Sequence, residues 1–243
     1  MNDETVDPRL EKRLPLLLSL IAGMVDLTGF LNLGNVFTAH ITGNLVVIGA
    51  LVVRGGHINP AQILAVPVFI VAVGATWLLA RASGASGPRL LRLLLRTHFL
   101  LLAAVFLFSA IMKPSATPHG VMADIAAMIA VSAMACQFAL LRLALPVAPS
   151  TAVMTGNLTN AVLSGLNSMS RQQPPAASDI ARLKASLLLL IGFFGGCVIA
   201  ATAVTYLGEW AWAFPVVLAG IAVVLPQREV DGKGSQRPLR GIS

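Results

Sequence analysis

Charged residues are scarce in this chain of 243 residues: they make up 11% of it, whereas hydrophobic residues make up 56%. A soluble domain normally carries about 25% charged residues, so too few are present here to cover a water-facing surface. The apolar residues gather into runs of roughly 20, the length with which a helix crosses the hydrocarbon core of a bilayer. Composition therefore predicts an all-α, polytopic membrane protein.

Cysteine and enzymatic motifs are also scarce. The two cysteines, Cys136 and Cys197, lie inside apolar runs and lack the spacing of a zinc site or a disulfide framework. No HExxH, GxSxG or P-loop pattern occurs. We therefore expect no enzyme, no metal and no cofactor. The net charge of +7 comes from cations at the ends of the apolar runs, which is typical of cytoplasmic membrane loops rather than of nucleic-acid binding.

The pattern predicts one transmembrane domain, 14–226, between a polar N-terminus, 1–13, and a polar tail, 227–243. The first apolar run is expected to be a retained helix rather than a cleaved signal peptide. The domain contains eight apolar stretches, of which the second and sixth carry internal Thr, Gly and Asn. The stretches are 14–34, 36–53, 61–82, 93–112, 120–141, 150–169, 184–206 and 210–226.

The chain repeats itself at an offset of 113 residues. FTAHITGNL at 37–45 matches STAVMTGNL at 150–158, and each copy is followed by two further apolar stretches. Such self-similarity indicates two structurally related halves. We expect repeat 1 to cover about 14–112 and repeat 2 about 120–226.

Charge discriminates between two topologies. If all eight stretches cross, 12 of the 17 Lys and Arg lie inside and 5 lie outside. If the two TGN stretches instead re-enter on the side they came from, only Arg54 and Lys113 lie outside. The positive-inside rule favours the second arrangement. It has six crossings, two re-entrant or broken segments, an inverted 3+3 repeat and both termini in the cytoplasm. Eight crossings with parallel repeats remain the alternative.

The TGN segments are the candidate solute site. Thr and Asn cap helices and Gly tolerates a break, so two half-helix starts would meet near the midplane and favour a small anion or a neutral polar solute. The alternative is that small residues merely allow close packing. The segments contribute Thr42, Gly43, Asn44, Thr155, Gly156 and Asn157.

Asp26 lies within the first stretch, where a charge is costly and faces a cavity or a partner. It is a candidate for a solute- or proton-linked group, or else a structural carboxylate bonded to a loop. His40 is expected to pair with it, as a proton relay or as a structural residue. Gln137 is the polar residue near the equivalent place in the second half. With Asp124 at the interface, Asp26 and His40 are taken as the one carboxylate and one histidine inside the membrane.

Other residues have packing or interfacial interpretations. Gly192, Gly196 and Ala200 form a close-packing stripe, either internal or in a homo-oligomer. Arg89, Arg92 and Arg96 anchor the topology or contact anionic lipids. Asn32, Asn35 and Asn160 are weaker candidates for lining a cavity. The outer interface is expected to carry Tyr206, Trp210, Trp212 and Phe214.

The run GMVDLTGFLNLGNVFTAHITGNLVVIGA at 23–50 resembles the signature of the YoaK-like family of bacterial inner-membrane proteins. Its elements here are Asp26, Phe30, Val36, Phe37 and the first TGN, and the second TGN is also similar. The resemblance covers about residues 14–226. It implies six spans and an inner-membrane location, and no established activity or catalytic residue.

Three functions are compatible with these features. The first is a small-solute transporter or channel with its site where the repeats meet. The second is a structural or accessory membrane protein that assembles through the stripe of Gly192, Gly196 and Ala200. The third, an intramembrane enzyme, has the least support because it would have only Asp26 and His40 for chemistry.

Overall fold

A computed structural model describes residues 8–55, 59–146, 148, 151, 154–169 and 177–234. The repeat residue Ala152, the ends of both predicted polar tails and the loop cation Arg171 lie outside these ranges. Within them the chain is helical, as composition predicts. The eight helices are α1 Pro8–Asn32, α2 Ile41–Arg54, α3 Pro60–Ala82, α4 Gly87–Met112, α5 Val121–Ala144, α6 Met154–Met169, α7 Ala177–Leu207 and α8 Ala213–Gly234.

Among the described residues, five segments are long and apolar enough to cross a membrane. The fifth, Ile180–Leu225, has 46 residues, more than twice the roughly 20 that one crossing needs. A 3-10 turn at Gly208–Trp212 divides it into α7 and α8, and Gly208 has a φ of +54°, which suits a residue without a Cβ. α2 and α6 have only 14 and 16 residues.

α1 and α7 form the most extensive helix pair, and they run in the same direction. Gly192 lies against Leu16, and Gly196 against the backbone of Leu20. Farther along, Cys197 lies beside Gly23, its Sγ 3.5 Å from the Gly23 carbonyl oxygen. Glycine is required at Gly23 and Gly196 because an added Cβ would collide with backbone atoms of the other helix. The glycine stripe is therefore an internal contact.

α5 runs antiparallel to α1 through the centre of the bundle. Gln137 Nε2 donates to the Leu18 carbonyl at 3.0 Å, whereas at the other end Gly34 lies beside His119. α3 packs mainly on α5. It begins beside the end of α1, where the Asn59 side-chain amide donates to the Gly34 carbonyl at 3.0 Å.

α4 and α8 complete the bundle as an antiparallel pair. Phe99 lies against Gly220, and Phe106 makes an edge-to-face contact with Trp210 at 5.5 Å between centroids. α4 also packs on α5, and α8 on α1. Tyr206, at the end of α7, and Trp210, in the turn before α8, are both exposed, which suits an interfacial belt.

Trp212 was predicted to lie in this belt, and that prediction is wrong. Its side chain is fully buried in the hydrophobic core, and the 3-10 turn that contains it, Gly208–Trp212, packs on α4 and α1. Periodicity cannot find this, because the turn interrupts the helical register.

Gly196→Val is expected to lower the free energy of unfolding by about 1–3 kcal/mol, because the added side chain forces α7 away from the Leu20 backbone. The neighbouring Gly195→Val is the matched control, since a Cβ there makes an ordinary 3.8 Å contact with the Leu20 side chain. Thermal unfolding of the purified protein in mild detergent measures both. Equal losses of stability would contradict the proposed dependence of the α1–α7 contact on Gly196.

Candidate functional site

The chain turns back on itself after α1 and returns into the bundle. Gly34 and Asn35 have φ values of +70° and +60°, a left-handed pair that reverses the backbone. Residues 36–40 are non-helical and run back along α1 until Thr38 lies over Gly29. An added Cβ at Gly29 would be 2.7 Å from the Thr38 methyl group, so glycine provides the space for this return.

Asp26 holds the returning segment in place. Its Oδ1 accepts backbone N–H bonds from Thr38 at 2.8 Å, Ala39 at 2.7 Å and His40 at 3.3 Å. Its Oδ2 lies 2.7 Å from His40 Nδ1. Asp26 is 5% exposed and precedes the end of α1 by six residues, about 9 Å of helix. The predicted pairing with His40 is present, and the carboxylate also bonds the loop.

His40 is the open member of this pair. Its side chain is 34% exposed, whereas that of Asp26 is 6% exposed. The imidazole contacts the Phe193 ring edge-to-face at 5.0 Å between centroids. Sequence reasoning missed Phe193, although the adjacent Gly192 and Gly196 indicate where α7 approaches another helix.

Asn44 clamps the same segment from α2. Its Oδ1 accepts the Phe37 N–H at 2.9 Å, and its Nδ2 donates to the Phe37 carbonyl at 2.8 Å. The amide oxygen and nitrogen of the buried Asn44 side chain thus satisfy both backbone polar groups of Phe37. Gly43 leaves room for the Phe37 ring, which would be 2.9 Å from an added Cβ. Gly43 and Asn44 therefore stabilise the break, and Thr42 beside them is exposed.

The second TGN segment has a related position. Gln137 Nε2 lies 3.3 Å from Thr151 Oγ1, and Thr151 is the repeat counterpart of Thr38. Asn157 is buried, like Asn44, while Thr155 is exposed and Gly156 half-buried. α6 begins three residues beyond Thr151.

The two segments start at different depths along the bundle. Gln137 bonds to Leu18 of α1, eight residues before Asp26, which is about 12 Å along the helix. α2 packs mainly on α3, and α6 on α7. Thr42, Gly43 and Asn44 thus follow His40, which bonds Asp26, whereas Thr155, Gly156 and Asn157 follow Thr151, which bonds Gln137.

The inventory of buried titratable groups needs a correction. His98 of α4 is completely buried inside the apolar segment Gly87–Met112, with Nδ1 3.0 Å from the Ala133 carbonyl oxygen. The sequence-based inventory named only His40, although His98 lies within the predicted apolar stretch 93–112. Asp124 lies in the first turn of α5 and is half-buried, as expected for a group near the interface.

A shallow groove of about 430 Å³ lies on α8 rather than at this site. Its lining is apolar, and the residues are Val217, Gly220, Ile221, Val224 and Leu225. It has no polar group with which to orient a solute.

The long apolar helices and the intramembrane polar centre define a helical integral membrane protein. The family described as "Protein of unknown function (DUF1275)" matches residues 14–225, and the chain belongs to that family. It is similar to the UPF0700 transmembrane protein YoaK of Bacillus subtilis (strain 168), with 61% identity over 33 residues. That match covers 14% of this chain and 15% of the relative. No solved structure matches.

Asn44→Ala is expected to cost about 1–3 kcal/mol of stability, because it leaves the Phe37 N–H and carbonyl without partners inside the bundle. Asn160→Ala is the control, since Asn160 also lies on a short helix but is exposed. Thermal unfolding in detergent compares the two variants. A loss for Asn160→Ala as large as that for Asn44→Ala would refute the clamp.

Proposed function

We propose that this protein is a transporter or channel for a small, neutral polar solute, and that His40 lies in its pathway. The observation that carries the proposal is that the His40 imidazole is partly exposed while the carboxylate of Asp26, with which it pairs, is buried. Ionisable groups at membrane depth face a water-filled cavity or a partner, since hydrocarbon cannot solvate them. The open side of His40 is thus expected to contact water rather than lipid.

An inverted repeat is the architecture proposed for this pathway. The offset of 113 residues relates α1 to α5, α2 to α6, α3 to α7 and α4 to α8. Under this exchange the α1–α7 contact becomes α5–α3, the α4–α5 contact becomes α8–α1, and α2–α3 becomes α6–α7; each of these contacts occurs. The antiparallel arrangement of α1 and α5 supports an inverted rather than a parallel repeat.

Six crossings with α2 and α6 re-entrant are proposed on the same grounds. The end of α1 and the start of α3 lie side by side, so α2 leaves and rejoins the bundle at one end. At 14 and 16 residues, α2 and α6 are also shorter than a full crossing requires. The distribution of Lys and Arg then favours both termini in the cytoplasm, and the family resemblance favours the bacterial inner membrane.

The bonding of Asp26 favours a neutral solute over an anion. The N–H groups before α2, which would otherwise attract an anion, already donate to the protein's own carboxylate. A second negative charge beside Asp26 would be repelled. The exposed hydroxyl groups of Thr42 and Thr155 offer both donors and acceptors to a neutral polar molecule.

Assembly as the main role has less support. Its proposed surface, the stripe of Gly192 and Gly196, packs against α1 and is not free for a second protein. We also propose that the role is non-enzymatic, and that the polar centre conducts or binds a solute rather than transforming it.

Cysteine labelling tests the topology in a Cys136→Ser, Cys197→Ser background. Arg54→Cys lies at the end of α2, before α3 begins, and Ser83→Cys directly follows α3; both positions are exposed. A membrane-impermeant thiol reagent on intact cells should label the first and not the second. The reverse pattern would support eight crossings and remove the basis for a re-entrant α2.

Solute permeability tests the function. Proteoliposomes containing the protein should shrink and recover faster than empty liposomes when a small neutral solute such as glycerol or urea is added, as followed by stopped-flow light scattering. Thr42→Trp should abolish this gain by filling the pathway beside His40. Val53→Trp is the control, since Val53 is 86% exposed on the same helix and is expected to face lipid.

A gain that survives in Thr42→Trp would place the pathway elsewhere. Equal permeability of loaded and empty liposomes across a panel of small neutral solutes would contradict the proposed function.

A further inference from the structure

We propose that His40 is a proton-binding site of this protein and that it accepts the proton at Nε2, on the side of the ring that faces away from Asp26. The inference rests on the proposed function in one respect, namely that His40 faces an aqueous pathway. Asp26 is assigned as its positioning residue.

The bonds around Asp26 determine which nitrogen of His40 is available. Oδ1 accepts from three backbone N–H groups, an arrangement that stabilises the ionised carboxylate. Oδ2 is then an acceptor as well, so His40 Nδ1, 2.7 Å away, must carry a hydrogen. In the neutral ring this leaves Nε2 with a lone pair, directed away from the carboxylate. His40 thus has one nitrogen fixed by the protein and one able to take a proton.

Binding that proton changes the charge of the pair from −1 to zero. Nε2 gains the proton, and Nδ1 keeps its own hydrogen, which it donates to Asp26. No other group needs to gain or lose a proton. A net charge inside the bundle is costly, and a neutral ion pair is less so. The protonated pair is therefore better suited to an occluded state, and the unprotonated pair to a state open to water.

No other charged group competes at this position in the described part of the chain. α7 contributes Phe193, which contacts the His40 ring, and the thiol of Cys197, which lies against the Gly23 carbonyl. α2 has no charged side chain before Arg54, at its far end. The cations that the structure describes on α3 and α7 lie near the opposite end of the bundle, and they are Arg81, Arg182 and Lys184. In the second repeat the related group is the amide Gln137, which does not titrate. The expected stoichiometry is one proton per chain.

The test is a histidine NMR titration between pH 5 and 9, with protein labelled at the histidine rings and held in nanodiscs. The sequence has four histidines, so His40→Asn assigns the signal. We expect the His40 ring to titrate, and its neutral form to be the Nδ1–H tautomer. Asp26→Asn should release this tautomer preference while leaving the His119 signal unchanged. If Asp26→Asn does not fold, the tautomer of the wild-type ring still tests the assignment.

A His40 signal that stays constant over this range would overturn the proposal, as would a neutral Nε2–H tautomer. No solute is present in the titration, so its result is independent of the permeability assay. Permeability without His40 titration would leave a solute pathway in which His40 binds no proton. Titration without permeability would leave a proton site and refute the proposed function.

Discussion

The carboxylate of Asp26 is the group on which the rest of the site depends. Residues 36–40 bring non-helical backbone to membrane depth, where each unpaired N–H costs several kcal/mol. Asp26 satisfies three of these groups with one oxygen, and Asn44 satisfies both polar groups of Phe37. Because the two anchors come from α1 and α2, they fix where α2 begins and how His40 is oriented. A polar break is thus maintained inside an otherwise apolar bundle.

Close helix packing and the polar centre are coupled through α7. Gly23 and Gly196 let α1 and α7 approach until their backbones touch, and that approach brings Phe193 to the His40 ring. A larger residue in the stripe would move α7 outward and expose the Asp26–His40 pair on its buried side. The glycines therefore contribute to the site without containing a polar side chain, which explains why a packing surface and a candidate functional centre occur on the same pair of helices.

Sequence reasoning recovered the features that local chemistry carries. The repeated TGN, the intramembrane Asp26 and its pairing with His40 followed from spacing and from the cost of a buried charge. The role of Asn44 did not, because a clamp on Phe37 requires the backbone to fold back by seven residues. His98 was omitted and Trp212 was misplaced for a similar reason, because their burial depends on neighbouring helices and on a 3-10 turn. Tertiary contacts, rather than composition, decide such positions.

The residues that anchor the segments before the two short helices, α2 and α6, differ in charge. Asp26 and Gln137 each reach the segment before a short helix, at Thr38 and Thr151, which are 113 residues apart. Asp26 supplies a carboxylate that pairs with His40, whereas Gln137 supplies an amide that also bonds α1. A symmetric pair of carboxylates would place two charges about 12 Å apart along the bundle, with mutual repulsion in a weakly screening interior. One charged and one neutral anchor avoid that cost, and they restrict titration to the half that contains His40.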